Sequence, residues 1–259
     1  MEKYLSIAIK AAKKAGAYQA RHFNTILQIR KKGIMDLVTN VDINSEKMIC
    51  TEILSNFPDH SLITEEQVCS QASPNEQNKF VWIIDPLDGT SNYVHHIPFF
   101  CVSIALMIKG VLSVGVVYNP ILNEFFTAVR GKGAYCNNKR MHVSKNRELA
   151  MAMLATGFAY NIKKVSDNNF NNFQNASLKT VAIRRLGSAA IDLAYVARGF
   201  FDGFWELYLK PWDKAAGALL VMEAGGKVSN FKGSSFDIFG REILATNGTI
   251  HTPLKKILK

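Results

Sequence analysis

Five consecutive apolar residues, at positions 80–84, are followed at once by Asp85 and Pro86. An unbroken apolar run of this length is typical of a strand that is buried on both faces, since a half-exposed strand would alternate apolar and polar residues. Proline removes a backbone hydrogen-bond donor, so we expect Pro86 to end the strand. The run therefore predicts a layered fold that presents Asp85 at the carboxyl end of a buried strand.

Helical and strand-like patterns alternate on both sides of this run. The spacing of Leu5, Ala8 and Ala12 predicts an amphipathic first helix, and a second helix is expected to follow Asp42 and to stop at Pro58. The other expected segments are strands at 61–64, 99–108, 111–118, 125–129, 201–207 and 243–246, helices at 188–198 and 214–224, and a loop at 65–79. The mixture indicates an α/β (α+β layered) fold rather than a barrel.

Neither a linker nor an internal repeat divides the sequence. We therefore expect one domain over residues 1–259, with an N-terminal half at 1–150 and a C-terminal half at 151–259. No stretch has the unbroken apolar character of a signal peptide or of a membrane span. We accordingly expect a cytoplasmic protein without a membrane partner.

Charge and cysteine content leave several function classes open. The chain has 31 Lys and Arg residues against 21 Asp and Glu residues, a net charge of +10. This excess would attract phosphorylated metabolites, nucleic acid or acidic proteins, but it is equally compatible with a role in solubility alone. No RNA-binding signature accompanies the charge. The 4 cysteines lie far apart in the sequence without a C-x-x-C pair, which argues against a zinc motif or a redox couple.

The segment that begins at Asp85 carries the strongest chemical signal. Asp88 follows within a turn, so both carboxylates can share a cation, and without one they would repel each other in a half-buried site. Oxygen ligands without His or Cys favour Mg²⁺, with Mn²⁺ as an alternative. Gly89 allows close backbone approach, and Thr90 can begin a helix whose free amides suit a phosphate. On local composition alone, the two aspartates could equally cap a turn.

Two distant acids strengthen the metal interpretation. Glu65 follows a short predicted strand, and Asp213 lies where a helix is predicted to begin. Taken singly, Glu65 would be an exposed loop acid and Asp213 a helix cap. Together with Asp85 and Asp88, they would complete an acidic cluster that binds metal ions.

These motifs resemble those of a known family. Residues 85–90 resemble the first signature of the inositol monophosphatase family, and residues 212–217 resemble its second. Residues 184–190, Glu206 and the segment 36–42 also match, in the family's order. The Ile-Thr-Glu-Glu run at 63–66 is similar to that of the bacterial SuhB-type branch. The resemblance implies an αβαβα sandwich, a homodimer, and a member of the magnesium-dependent, lithium-sensitive sugar-phosphate phosphatases.

The resemblance also implies roles for individual residues. It places one Mg²⁺ on Glu65, Asp85 and the Leu87 carbonyl, a second on Asp85, Asp88 and Asp213, and a weaker third ion near Glu65. Glu65, Thr90 and Asp42 would be catalytic, and Lys31 would support the metal site. The implied substrate contacts are Leu87, Asp88, Gly89, Thr90, Arg184, Gly187, Ser188, Ala189, Glu206 and Asp213.

The function implied by the resemblance is hydrolysis of a small phosphate monoester, with myo-inositol 1-phosphate as the first candidate. Fructose bisphosphate and 3′-phosphoadenosine nucleotides are alternative substrates within the superfamily. A Ser-Asn-Tyr sequence after Thr90 favours the inositol branch, since the nucleotide enzymes typically have Lys there. The SuhB-type branch also implies a function of another class, as a Nus-type partner of the transcription machinery or of RNA in antitermination.

Overall fold

The computed structural model describes residues 1–25, 29–31, 37–69, 79–159, 162 and 165–258. The α-helices of this part are α1 (Glu2–His22), α2 (Asn40–Asn56), α3 (Thr90–Val94), α4 (Phe170–Ser177), α5 (Ala189–Ala197), α6 (Pro211–Glu223) and α7 (His251–Lys255). Asp36 and the side chain of Lys31 lie outside the described residues, as do residues 70–78 of the predicted loop.

The strands form three sheets. Those before residue 150 are β1 (Ile29–Lys31), β2 (Leu37–Thr39), β3 (Ser61–Thr64), β4 (Phe80–Asp88), β5 (Cys101–Ile108), β6 (Val111–Asn119), β7 (Glu124–Val129), β8 (Gly133–Cys136) and β9 (Lys139–Arg140). Those after it are β10 (Met153–Thr156), β11 (Ala182–Arg184), β12 (Gly203–Leu207), β13 (Lys227–Ser229) and β14 (Glu242–Thr246). β1 and β2 form a small antiparallel pair.

The large sheet contains seven strands in sequence order from β3 to β9. β3 lies parallel to β4, and every later pair in this sheet is antiparallel. The second sheet has the order β11-β10-β12-β14-β13. Its central strand β12 is parallel to β10 and antiparallel to β14.

Both faces of the large sheet are buried, as the apolar run predicts. Trp82 and Ile84 pack against α1 and α2, where Ala12 and Ile53 belong to the same apolar cluster. Val81 and Ile83 point to the opposite face, since side chains alternate along a strand. They belong to a core that includes residues of α5 and α6 and of the second sheet.

The second sheet is also covered on both faces. Its inner face packs against α5 and α6, and its outer face packs against α4 and α7 through a cluster that contains Trp205, Ala176 and Leu254. The layers are therefore α1/α2, the large sheet, α5/α6, the second sheet, and α4/α7. The prediction of an αβαβα sandwich is confirmed.

The predicted helices and strands are all present, although several boundaries shift by a few residues, as in α6, which begins at Pro211. Two further predictions about boundaries were wrong. Pro86 does not end its strand, because β4 continues to Asp88 through a register shift against β5. Asp42 does not precede α2 but lies in its first turn, with Thr39 as the N-cap. Among the helices of the described residues, none combines the length and apolar character that a membrane-spanning helix requires.

Candidate active site

The end of β4 contains a bulge that sets the geometry of the site. Asp85 pairs with Ser103 and Asp88 pairs with Cys101, so three steps along β4 match two steps along β5. Residues three apart on a regular strand point to opposite faces, whereas one extra residue returns them to the same face. The bulge therefore allows Asp85 and Asp88 to face one another, which a regular strand would prevent.

Gln19, a residue of α1 that sequence reasoning missed, supports this bulge. Its side chain is fully buried, and Nε2 donates a 2.6 Å hydrogen bond to the Pro86 carbonyl and a 3.3 Å bond to Ser45 Oγ. The Gln19 carbonyl in turn accepts a 2.8 Å bond from the Tyr93 hydroxyl. A buried polar residue among the alanines of an amphipathic helix is the signal that could have identified it.

The four predicted acids converge at this point. Burial raises the pKa of Asp85 well above its usual value, and the nearby carboxylates of Glu65, Asp88 and Asp213 raise it further. The pKa of Asp213 is likewise raised, first by burial and then by Asp88 and Glu65. Because the carboxylates of these three segments affect one another electrostatically, they must lie close together. The structure thus brings Glu65, Asp85, Asp88 and Asp213 together.

Asp88 connects the bulge to the start of α5. Its Oδ2 accepts hydrogen bonds of 2.7 Å from Ser188 Oγ and 2.7 Å from the Ala190 amide. Ser188 is also the N-cap of α5, accepting from the Ile191 amide. Burial raises the pKa of Asp88 to about 6, although the bonds from Ser188 and Ala190 lower it. The predicted substrate residues Ser188 and Ala189 therefore lie beside the acidic cluster.

Asp213 has two roles in the structure. It lies in the first turn of α6, which begins at Pro211, and its Oδ2 accepts a 2.7 Å hydrogen bond from the Lys210 amide. A carboxylate is favourable there because it satisfies a free amide at the positive end of the helix. Asp213 therefore caps α6 through one carboxylate oxygen and also belongs to the acidic cluster.

A hydrogen-bonded pair lies beside the cluster. Thr90 Oγ1 donates to Asp42 Oδ1 at 2.8 Å and lies 3.1 Å from the Leu87 carbonyl. Asp42 Oδ2 accepts from the amide and hydroxyl of Thr39. Burial raises the pKa of Asp42, and the bonds from Thr39 and Thr90 oppose that rise. Hydrogen bonds from Thr90 thus join Asp42 and the Leu87 carbonyl in one group beside the acidic cluster.

Two glycines bring the start of α3 against the turn at 187. Gly89 has a φ of +95°, and a Cβ there would lie 3.0 Å from the Phe99 carbonyl and 3.3 Å from that of Gly187. Asn92 Nδ2 donates to the carbonyls of Phe99 at 2.7 Å and Leu186 at 2.8 Å. The Gly89 position needs glycine both for its backbone conformation and for this approach.

Glu206 lies next to the acids, and an arginine lies near it. Burial raises the pKa of Glu206 well above its usual value, Asp213 and Asp88 raise it further, and Arg185 lowers it. Arg184 is exposed at the end of β11 and bonds the Ile183 carbonyl at 3.3 Å. Arg185 is therefore the arginine that interacts with Glu206, and it lies over the Phe158 ring at 5.7 Å.

Two further residues at Glu206 were missed from the sequence. A Cβ on Gly157 would lie 2.2 Å from Glu206 Oε2, so this side chain packs directly on the glycine backbone. Asp192, buried in α5, has a pKa raised first by burial and then by Glu206 and Asp88, and its Oδ1 lacks a hydrogen-bond partner among the described residues. A single acid inside the otherwise apolar helix 189–197 was the available signal.

The donor set fits magnesium. Within the part of the chain that the structure describes, none of the salt bridges involves Asp85, Asp88 or Asp213. Buried carboxylates without a basic partner must be protonated or must neutralise their charge with a cation. The donors are carboxylate and carbonyl oxygens, which suit a hard ion such as Mg²⁺.

The spacing of these oxygens also bears on ion binding. Among the described residues, the side chains whose potential metal-ligand atoms all lie within 4.8 Å of one another are Glu46, Cys50 and Cys69. The acids of the cluster are spaced more widely than this. Oxygens around Mg²⁺ are about 3 to 4 Å apart, given its bond length of about 2.1 Å. The carboxylates of the acidic cluster would therefore move closer together around an ion.

Known proteins with similar sequences cover nearly the whole chain. A sequence model of the inositol monophosphatase family matches residues 1–259. The chain is 44% identical to the protein called Nus factor SuhB of Pasteurella multocida, over 99% of this chain and 96% of that one. It is also 44% identical to the inositol-1-monophosphatase of Synechocystis, over 100% of this chain and 89% of that one.

A solved structure shows the same fold. The inositol monophosphatase from Anabaena superposes with a TM-score of 0.90 at 42% sequence identity, and the match covers 99% of this chain and 95% of that chain. The resemblance in the motifs thus extends over nearly the whole chain and its three-dimensional arrangement. This chain belongs to the inositol monophosphatase family.

Proposed function

We propose that this chain is a Mg²⁺-dependent phosphatase that hydrolyses myo-inositol 1-phosphate. The observation that carries the proposal is the convergence of Glu65, Asp85, Asp88 and Asp213, which come from three separate segments of the chain. Buried acids placed close together repel one another unless they bind cations or protons, so their arrangement favours a metal centre. Family membership supports the phosphatase activity.

The chain's own residues divide into two sets of metal ligands. Glu65, Asp85 and the Leu87 carbonyl would hold one Mg²⁺, and Asp85, Asp88 and Asp213 a second. When bound, the ions supply Lewis-acid activation of water and neutralise charge on the leaving oxygen. Mn²⁺ would suit the same oxygen donors, and a third ion near Glu65 would be held more weakly.

Thr90 and Asp42 orient the attacking water. Because Thr90 Oγ1 donates its proton to Asp42 Oδ1, its lone pairs remain available to accept a hydrogen bond from water. Glu65 is the acceptor on the other side of that water. A water held between two fixed acceptors points a lone pair at phosphorus, which lowers the entropy cost of in-line attack.

In this proposal, the substrate lies between the start of α3 and the turn at Gly187. Its phosphate would accept hydrogen bonds from the Gly89 and Thr90 amides, which adjoin the Gly187 turn. Its polyol would contact Glu206, Arg184 and residues 187–189, with Arg185 as a further cation near Glu206. A homodimer and inhibition by Li⁺ are part of the same proposal.

The test is phosphate release from a substrate panel. Myo-inositol 1-phosphate should be hydrolysed in Mg²⁺ and faster than fructose 1,6-bisphosphate or 3′-phosphoadenosine 5′-phosphate. Chelation should abolish release and Li⁺ should reduce it. Equal release with and without Mg²⁺ would exclude the metal mechanism, and a preference for another substrate would reassign the specificity.

A second function, as a binding partner in transcription antitermination, is favoured by one observation. The relative from Pasteurella multocida carries the name Nus factor. The net charge of +10 is compatible with an RNA or an acidic protein partner. A pull-down with transcription elongation factors tests this function. Retained binding by Asp88→Asn would show that it does not need the phosphatase site, and absence of binding by the unmodified chain would exclude it.

A further inference from the structure

One carboxylate and two thiols lie close together outside the acidic cluster. Glu46 and Cys50 lie one helical turn apart on α2, and Cys69 follows β3. One carboxylate oxygen of Glu46 and the two cysteine sulfurs all lie within 4.8 Å of one another. Glu46 and Cys50 are buried, whereas Cys69 is partly exposed. The sequence separation of Cys50 and Cys69 matches no zinc motif, which explains why spacing alone argued against such a site.

Glu46 is already fixed in position by the segment after β3. Its Oε1 accepts from Thr64 Oγ1 at 2.9 Å and from the Val68 amide at 2.7 Å, and its Oε2 accepts from the Glu66 amide at 2.8 Å. Each carboxylate oxygen can accept about two hydrogen bonds. Among the described residues, these contacts occupy three of the roughly four acceptor positions of the carboxylate, and the fourth, on Oε2, can serve an ion without breaking any of them.

The donor set selects the class of ion. Two thiolates and one carboxylate suit a thiophilic, tetrahedral cation such as Zn²⁺, whereas Mg²⁺ disfavours sulfur. In a tetrahedral site with bonds of about 2.0 to 2.3 Å, ligand atoms are roughly 3.5 to 3.8 Å apart. Sulfurs and oxygen already within 4.8 Å need only a small inward shift to reach this spacing.

We propose that Glu46, Cys50 and Cys69 form a binding site for a thiophilic divalent cation of the zinc class, separate from the magnesium centre. Each thiol loses one proton to solvent when the ion binds, so the two thiolates and the carboxylate carry −3 against +2 from the ion. A fourth ligand would come from the partly exposed side of Cys69, where water can reach the ion. Burial raises the pKa of Cys50 and Cys69, so both remain thiols until a cation displaces their protons.

This site is linked mechanically to the proposed active site. The Glu46 carboxylate bonds Thr64 and Glu66, the neighbours of Glu65 on both sides. An ion that displaces this carboxylate even slightly shifts the backbone that presents Glu65. This link rests on the proposed function of Glu65, whereas the ion site itself does not.

Cobalt binding tests the site without measuring activity. The full-length, untagged, reduced protein is saturated with Mg²⁺ and titrated with Co²⁺, whose bonds to thiolate give a charge-transfer absorption in the near ultraviolet. We expect one such Co²⁺ per chain, displaced by Zn²⁺. Cys50→Ser and Cys69→Ser should each weaken binding at least about tenfold. Cys136→Ser is the matched control, since Cys136 is another buried thiol in the distant strand β8 and should not change the titration.

Two outcomes would overturn the proposal. One is the absence of a thiolate–cobalt band in a protein whose circular dichroism is native. The other is a band that persists in both Cys50→Ser and Cys69→Ser. Cys69→Ser keeps the test decisive if Cys50→Ser fails to fold, because Cys69 lies at the edge of the core. Phosphate release with and without Zn²⁺ in Cys69→Ser then tests the link to Glu65 separately.

Discussion

The carboxylate of Asp88 accepts a 2.7 Å hydrogen bond from the hydroxyl of Ser188, which lies 100 positions further along the chain. Through this bond, the bulge of β4 is attached to the N-terminus of α5. Asp88 is therefore both a proposed metal ligand and an anchor between the large sheet and α5. Substitutions at these two residues separate the roles.

Asp88→Asn removes one negative charge but keeps an oxygen that can accept from Ser188 and Ala190. We expect turnover to fall by at least about 100-fold, since a metal ligand is weakened, while the thermal midpoint shifts little. Phosphate release and thermal unfolding measure the two effects. Asp59→Asn, at an exposed position after α2, is the matched control and should leave both unchanged. Undiminished turnover in Asp88→Asn would contradict the metal assignment.

Ser188→Ala removes the N-cap of α5 and the donor to Asp88 together. We expect the free energy of unfolding to fall by about 1 kcal/mol from the lost cap, and the Mg²⁺ concentration at half-maximal rate to rise about tenfold. Urea unfolding and magnesium titration of the rate measure these changes. Ser177→Ala, an exposed α4 serine bonded to the Phe173 carbonyl, should alter neither by a comparable amount. A purely structural Ser188 would change stability alone.

Two substitutions of Thr90 distinguish the role of its hydroxyl group from the role of its shape. Thr90→Ser keeps the hydroxyl that bonds Asp42, whereas Thr90→Val keeps the shape and loses the bond. We expect Thr90→Ser to retain most of kcat and Thr90→Val to lose about 100-fold or more, with a smaller change in KM. Steady-state kinetics on myo-inositol 1-phosphate provide the measurement. Equal losses in both variants would show that the methyl group, and not the hydroxyl, matters.

Gly157 offers a test of substrate specificity. An added Cβ would meet Glu206 at 2.2 Å, so Gly157→Ala must displace that carboxylate. We expect KM for myo-inositol 1-phosphate to rise about tenfold, because one missing polar contact to a substrate hydroxyl costs roughly 1 to 2 kcal/mol. Hydrolysis of p-nitrophenyl phosphate, which lacks the polyol, should change less. Glu206→Ala should reproduce the pattern, and a uniform loss on both substrates would exclude a role in polyol recognition.

Periodicity and motif spacing predicted most of the fold, because its core elements are long and strongly patterned. The run at 80–84 identified a buried strand, and the alanines of α1 identified its buried face. The short strands β1, β2, β8 to β11 and β13 were missed, since strands of this length seldom show a clear period. Two of them, β10 and β11, are defined by pairing with each other across a long stretch of sequence.

Residues of the proposed site that lie in one local motif could be chosen from the sequence. Features that depend on tertiary contacts could not. Asp85 and Asp88 could be chosen from one hexapeptide, yet the bulge that turns them to the same face arises from pairing with β5. Arg184 was proposed from the family motif, and nothing in the sequence indicated that its neighbour Arg185 would lie near Glu206. The end of β11 decides which one reaches Glu206.

His251 gives the protein a pH-dependent stability that is independent of the acidic cluster. Its ring nitrogens lie 2.9 Å from Ser229 Oγ and 2.9 Å from Thr246 Oγ1. Burial lowers its pKa from 6.5 to about 4, with Lys227 and Lys255 adding to the effect. The folded state therefore excludes a proton that the unfolded chain binds below pH 6.5. The resulting stability is fully present above that pH and is lost as the pH falls toward the folded pKa of about 4.

His251→Gln removes this titration and isolates its contribution. Between about pH 7.5 and about pH 5, the unmodified protein should lose about 2 kcal/mol more of its unfolding free energy than the variant does. The comparison cancels the carboxylates of the acidic cluster, which titrate alike in both proteins. Urea unfolding at the two pH values measures the difference. Parallel pH dependences would mean that His251 titrates in the folded protein as it does in the unfolded chain, and that its burial does not exclude the proton.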